Sequence, residues 1–421
     1  MRILQDLFEK QIMKAFSISI VATKLIAKEL KKKGIILNND QMARLEKQLK
    51  KRPFNNSEIN LGLNEEQERI IKNIVGEKLT INLGNEKELN DLFHDYLLIV
   101  KDEYPKMVEE TTRIIYSSAM RNMKYMLRNQ RKMIKGLIKR LKKDWGKPLD
   151  LIEAYIKISY EAGDEFNQTY RKEAAESQDF IFEVLTRLHA RACQIASEVL
   201  VLLENGFADG AHARWRTIHE IAVVASFIKE FGNEVAERYL LYENIESYRA
   251  SLKYQEHYQA LGDDPFPQHE LNSMKETYED LIQRFGDSFS KPYGWASSVF
   301  GDKPPKFADI EKLSELSHWR PYYKLASNNI HADPKGIMFK LGLLGNPNDI
   351  LLAGPSNMGL TDPAHGTVIS LGIITTTLIN TRPTFDSIVI SNILLSLQTQ
   401  IGEECLKVQR SIEKREKKYS K

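Results

Sequence analysis

Two polar islands interrupt otherwise apolar helical patterns: Arg214-Trp-Arg216-Thr-Ile-His219-Glu220, and Ser327-Asn-Asn-Ile-His331-Ala-Asp333. A buried polar group without a partner is costly, so such residues persist for structure or for chemistry. Arg216 and Glu220 are four residues apart and share one helical face. Arg214 and His219 are five apart and point about 140° away from each other. The first pair can act as a unit, its guanidinium joining carboxylates or holding a phosphate. A buried Arg216–Glu220 strut that sets helix register is the other reading. In the second island Tyr323, Ser327 and His331 recur every four residues, with Asn328 one turn before His331, so hydroxyl, amide and imidazole line a ridge. His219 or His331 could move a proton, or serve as core and capping residues. Arg216, Glu220 and His331 are therefore expected close in space, and the candidate catalytic residues are Arg214, Arg216, His219, Glu220, Asn328 and His331. His318 and His365 add titratable groups without metal-ligand spacing.

A second feature is electrostatic. Arg121, Lys124, Arg128, Arg131, Lys135, Lys139 and Lys142 advance by three or four residues, while Met123, Leu127, Ile134, Ile138, Leu141 and Trp145 draw an adjacent apolar stripe. The helix is expected to dock on one side and to stand positive on another. Such a stripe can remain solvated, meet an acidic protein partner, or neutralise the phosphates of RNA, and it lacks the aromatic residues of a base reader. Attachment to a membrane surface follows from the same amphipathicity but is the weakest of these readings.

Composition narrows the classes. The 421 residues carry 60 Lys and Arg against 57 Asp and Glu, a net charge of +3, so any polyanion binding must come from local segregation of charge. Cys193 and Cys405 are the only cysteines and form no metal-like spacing, which fits a reducing cytoplasm and points to no disulfide framework and no bound metal or cofactor. There is no Gly-rich phosphate loop, Cys-x-x-Cys element or His-Glu-x-x-His motif. The most apolar run, Val368 to Ile379, is too short and too Thr-rich to span a bilayer, so no membrane insertion is expected.

The elements that must position these residues read as helices almost throughout. The periodicity predicts helices over 2–33, 40–51, 64–75 and 86–101, the last opened by Asn85 and Glu88 as a capping box. A very long one follows from Pro105. Ile181, Leu185, Leu188, Ala192, Ile195, Val199 and Leu202 mark a helix capped by Ser177 and ending near Gly206. Further helices are expected over 208–229, 232–260 and 268–285, then an irregular cap over 286–308. Helix resumes at Asp362 and again after Pro383. One β-hairpin is expected near 337–352, where Ile337, Phe339 and Leu341 alternate before Gly345-Asn-Pro-Asn-Asp349. Gly146-Lys-Pro148 should break the long helix, dividing the chain into 1–147 and 148–421. The fold class is all-α, a multi-helix bundle.

The run Ala213-Arg-Trp-Arg-Thr-Ile-His-Glu-Ile-Ala-Val-Val-Ala-Ser-Phe-Ile228, with Tyr323-Lys-Leu-Ala-Ser-Asn-Asn-Ile-His331 about a hundred residues later, resembles a bacterial helical family of unknown function. That family has an Arg-x-x-x-Glu helix and a later Ser-x-x-x-His helix, and the resemblance covers roughly residues 175–380. The family is in turn similar to the HEPN superfamily of helical ribonucleases in antiviral defence and toxin–antitoxin systems, whose Arg-x4–6-His motif Arg214 and His219 match. The resemblance implies a HEPN-like core and a metal-independent RNase that uses the RNA 2′-hydroxyl as nucleophile, with His219 or His331 moving the proton and an arginine stabilising the developing charge. Because Arg214 and His219 diverge around their helix, a catalytic site would need a homodimer that brings two such helices face to face. The alternative is a non-catalytic binding or assembly protein with a structural Arg–Glu–His cluster, whose basic helix meets RNA or a protein.

Overall fold

The computed structural model describes residues 18–51, 59–73, 86–331, 333–344 and 351–419. The chain forms two compact units, residues 1–124 and 125–421.

In the first unit α1 (Ile18–Lys32) and α2 (Asn39–Lys51) make a helical hairpin around Ile26, Leu30, Ile35 and Leu45, and α3 (Glu65–Asn73) adds Ile70 and Ile71. The turn after α1 needs Gly34, whose φ of 87° a side chain would resist. α2 and α3 open on matching reciprocal caps. Asn38 and Gln41 exchange backbone-to-side-chain bonds of 2.9 and 3.0 Å, and Asn64 and Gln67 exchange bonds of 2.8 and 3.0 Å. Gln41 Nε2 then donates to Gln67 Oε1 at 2.9 Å, tying the two starts together. The expected helix over 2–33 is seen from Ile18 onward, and Asn85 lies outside the described residues.

α4 (Glu86–Glu176) runs without interruption through Gly146-Lys-Pro148, so the expected break there is corrected, and the compact units divide instead at Lys124/Tyr125. A helical proline costs about 3 kcal/mol. Leu141, Trp145, Leu149 and Ile152 flank it buried, and each contributes roughly 1.5–3 kcal/mol. Trp145 Nε1 also donates to the Asn357 carbonyl at 3.0 Å, and Arg415 grips Asp144. Packing on both sides of the proline outweighs its local preference.

The second unit is built on α12 (Thr361–Ile379), which packs against α5 (Phe180–Glu204), α6 (Ala208–Phe231) and α13 (Phe385–Tyr419). Its apolar side chains Val368, Leu371, Ile374 and Leu378 are buried, and two of its buried threonines return their hydroxyls to the helix: Thr367 to the Pro363 carbonyl at 2.7 Å, Thr375 to that of Leu371 at 2.9 Å. The apolar run is thus the central helix of a core. Asp179, rather than Ser177, caps α5 by accepting from the Phe182 amide at 2.9 Å. At the α5–α6 turn Gly206 has φ 77°, and a Cβ there would come within 2.5 Å of the Ser356 carbonyl oxygen. α7 (Asn233–Leu261) and α8 (Gln268–Phe285) follow the expected boundaries closely.

The segment after α8 folds into tight turns over Asp287–Ser290 and Gly294–Phe300, held by Arg238 of α7. This buried guanidinium donates to the Trp295 carbonyl at 3.1 Å and Ser297 Oγ at 3.0 Å and lies over the Phe285 ring. α9 (Phe307–Leu313), α10 (Arg320–Ile330) and α11 (Pro334–Met338) complete the unit. No strand occurs among the described residues, which corrects the expected hairpin near 337–352. Pro334 opens a helical turn, Ile337 and Met338 point to solvent, and Leu341–Leu343 is a 3-10 turn fixed by Asp209, which accepts from the Leu341 amide at 2.9 Å. Residues 345–350, which hold the expected hairpin's turn, lie outside the described residues.

Candidate functional site

Helical geometry on α6 puts Trp215 and His219 on one face and Arg216 and Glu220 beside it. α9 brings Glu311, and the start of α10 brings Arg320 and Tyr323. Arg216 and Glu220 form the expected pair at 3.0 Å, and their third member is Tyr323, not His331. The Tyr323 hydroxyl accepts from Arg216 at 2.8 Å and donates to Glu220 Oε1 at 2.6 Å, with the guanidinium 4.8 Å from the ring centroid. Burial and the bond to Glu220 push the Tyr323 hydroxyl far above the ordinary tyrosine range, so it stays protonated. Arg216 keeps its charge, because Tyr323 and Glu220 more than offset the effect of burial.

One layer deeper, His219 Nε2 lies 2.9 Å from Glu311 Oε1, with side chains only 2% and 1% exposed. Burial lowers the His219 pKa and Glu311 opposes this, so the neutral imidazole donates to the carboxylate. The second Glu311 oxygen accepts from Arg320 at 3.0 Å, and Arg320 also lies over the Tyr323 ring at 5.2 Å. The two layers share Tyr323, whose ring is 5.7 Å from that of His219. Every charge in the deep layer is answered by another, as a buried ion needs.

The remaining sequence candidates lie elsewhere. Arg214 turns outward and pairs with Glu198 of α5, diverging from His219. His331 is the exposed cap at the end of α10, its amide donating to the Ser327 carbonyl at 3.1 Å. Eight residues at about 1.5 Å each put it roughly 12 Å along the helix from Tyr323, which corrects the expected Arg216–Glu220–His331 cluster. Asn328 stands against α11, where a Cβ on Gly336 would meet its carbonyl at 2.0 Å. His365 is half-buried near Asp362, its pKa lowered by burial.

Glu311, Arg320 and His212 were not among the candidates. Glu311 had a readable signal: four residues after Phe307 and one after Ile310, it puts an acid on the apolar stripe of a short helix. His212 gave none. It stacks on Trp215 with centroids 5.2 Å apart, its two ring nitrogens are buried without a hydrogen-bond partner, and burial alone lowers its pKa to about 4.

A separate open groove of about 1130 Å³ runs between residues 150–171 of α4 and 186–204 of α5. At its base His189 and Cys193 are held neutral by burial, the imidazole lowered to about 4 and the thiol raised to about 12, which leaves neither as an acid–base or nucleophilic group at neutral pH. Among the described residues no three His, Cys, Asp or Glu side chains gather as metal ligands, and no helix is long and apolar enough to cross a membrane.

The cationic stripe faces solvent in full. Arg121 and Lys124 belong to the first compact unit, and Arg128, Arg131, Lys135, Lys139 and Lys142 to the second, all exposed. Between Arg128 and Lys143 the sequence contains no Asp or Glu. Below this face the helix docks through Leu141 and Trp145.

No curated protein and no solved structure matches the chain. Nearly all of α5, all of α6, both islands and the α9–α10 cluster fall within residues 182–349, and that region matches the family of unknown function DUF5677.

Proposed function

We propose that this chain is a non-catalytic helical binding protein that holds RNA along the exposed face of α4, with the His219–Glu311–Arg320 and Arg216–Glu220–Tyr323 layers as an internal brace. The observation that carries the reading is the acid-free run from Arg128 to Lys143, whose basic side chains all stand in solvent. Successive residues of the stripe are one helical turn apart, about 5 Å, and can meet successive phosphates. The measurement is RNA affinity across a salt series. If five cations contact phosphates, the slope of log K against log salt is about −3.5 for a single strand. Lys135→Glu/Lys139→Glu should flatten that slope and lower affinity. Salt-insensitive or absent RNA binding would reject the reading.

A second reading, a HEPN-like metal-independent RNase, is favoured by one observation: the Glu220 carboxylate, 35% exposed, accepts from both Tyr323 and Arg216 at a solvent-facing edge. RNA cleavage in the presence of a chelator, abolished by Glu220→Gln but kept by His331→Ala, would favour it over the binding reading.

A further inference from the structure

We propose that the outer face of the first half of α13 pairs with the same face of a second copy of this chain. α13 has a buried side made by Leu394, Ile401, Cys405 and Ile412. Its opposite side begins with Phe385, Ile388, Val389, Ile393 and Leu395, all exposed, with Phe385 at 81% and Leu395 at 59%. Asn392, Ser396 and Thr399 lie between them on the same face. The first turn is held by a reciprocal cap, Thr384 and Ser387 exchanging bonds of 2.9 and 3.1 Å, so Phe385 is presented by an ordered helix start rather than by a frayed end.

Charge identifies the occupant. From Ser387 to Gly402 there is no Asp, Glu, Lys, Arg or His, in a chain that is 28% charged. The same helix becomes densely charged from Glu403 onward, as a solvated helix face does. A two-fold interface sets one patch against its own copy, so any charge near the axis meets a like charge. An uncharged apolar face escapes that repulsion. Leu127, Met133 and Ile134, exposed on α4, do not, because they lie beside Arg128, Arg131 and Lys135. The α13 face is self-compatible in this sense. From Phe385 to Thr399 it extends for four turns, about 21 Å, with apolar side chains flanking a strip of small polar ones, a surface on which two helices can cross.

The test is the mass of the full chain in solution across the micromolar range, by sedimentation equilibrium. The wild type should approach twice 48.5 kDa as concentration rises. Ile388→Glu/Leu395→Glu and Ile388→Lys/Leu395→Lys should each remain at the single-chain mass with unchanged helicity, and an equal mixture of the two should regain the double mass. A wild type that stays monomeric, or a dimer that survives both charged variants, would overturn the proposal. A monomeric wild type that floats with neutral phosphatidylcholine vesicles, where the charged variants do not, would assign the face to lipid instead.

Discussion

The interior of the second unit and the outer face of α4 use the same residue types to opposite ends. In the cluster of α6, α9 and α10 these charges have partners within hydrogen-bonding distance: buried Glu311 between His219 and Arg320, and Arg216, nearer the edge, between Glu220 and Tyr323. Outside, Arg128, Arg131, Lys135, Lys139 and Lys142 stand in solvent with no acid in the intervening sequence. A buried charge is committed to its partner, because separating them exposes the cost of an unsolvated ion. A solvated cation keeps its water and can exchange it for a phosphate. Environment, rather than residue type, separates brace from binding surface.

The largest effect should come from cutting the brace. Glu311→Ala strands Arg320 and leaves His219 without an acceptor, and should cost about 3–5 kcal/mol. Urea unfolding would read this as a lower midpoint with an unchanged slope, and a loss under about 1 kcal/mol would mean that the pair is dispensable.

Acid should weaken the same interior next. His189 and His212 have folded pKa values of about 4 against 6.5 when unfolded, so below pH 6.5 the unfolded chain binds more protons. Stability is full above about pH 6.5, falls as pH drops toward 4 and levels off below. Between pH 7 and pH 5 the loss should be roughly 2 kcal/mol per histidine. A melting temperature unchanged over that interval would contradict the buried, neutral imidazoles.

On the outer face the pattern reverses. Lys135→Glu/Lys139→Glu should lower RNA affinity at least tenfold at low salt, about 1.4 kcal/mol, while stability moves by no more than about 0.5 kcal/mol. An equal loss of stability would show that these lysines are structural after all. The smallest effect is a gain: His212→Phe keeps the stack on Trp215 and removes two unpartnered nitrogens, so the melting midpoint should rise by about 1 kcal/mol equivalent. A fall there would mean that the imidazole has a polar role.

Much of this comparison was legible beforehand. The helices over 180–204, 208–231, 233–261 and 268–285 follow apolar periodicity and glycine stops, which are local, and so does the cationic stripe. The Arg216–Glu220 pair was legible because i, i+4 neighbours are set by helix geometry alone. The sequence marks Tyr323 as one rung of a ridge, but not which rung meets α6, because that depends on where α10 crosses it. Pro148 and the 337–344 segment misled for one reason: local preference was read where packing decides.

The all-α class, most helix limits, the segregation of positive charge on α4 and the pairing of residues one turn apart all follow from near neighbours along the chain. That Glu311 and Arg320 close around His219, that Arg214 leaves the cluster and that His331 ends in solvent is set by how the helices pack. So is the survival of α4 through its proline. These depend on contacts between residues far apart in sequence, where burial strengthens each charge's need for a partner and the crossing of helices determines which partner is within reach.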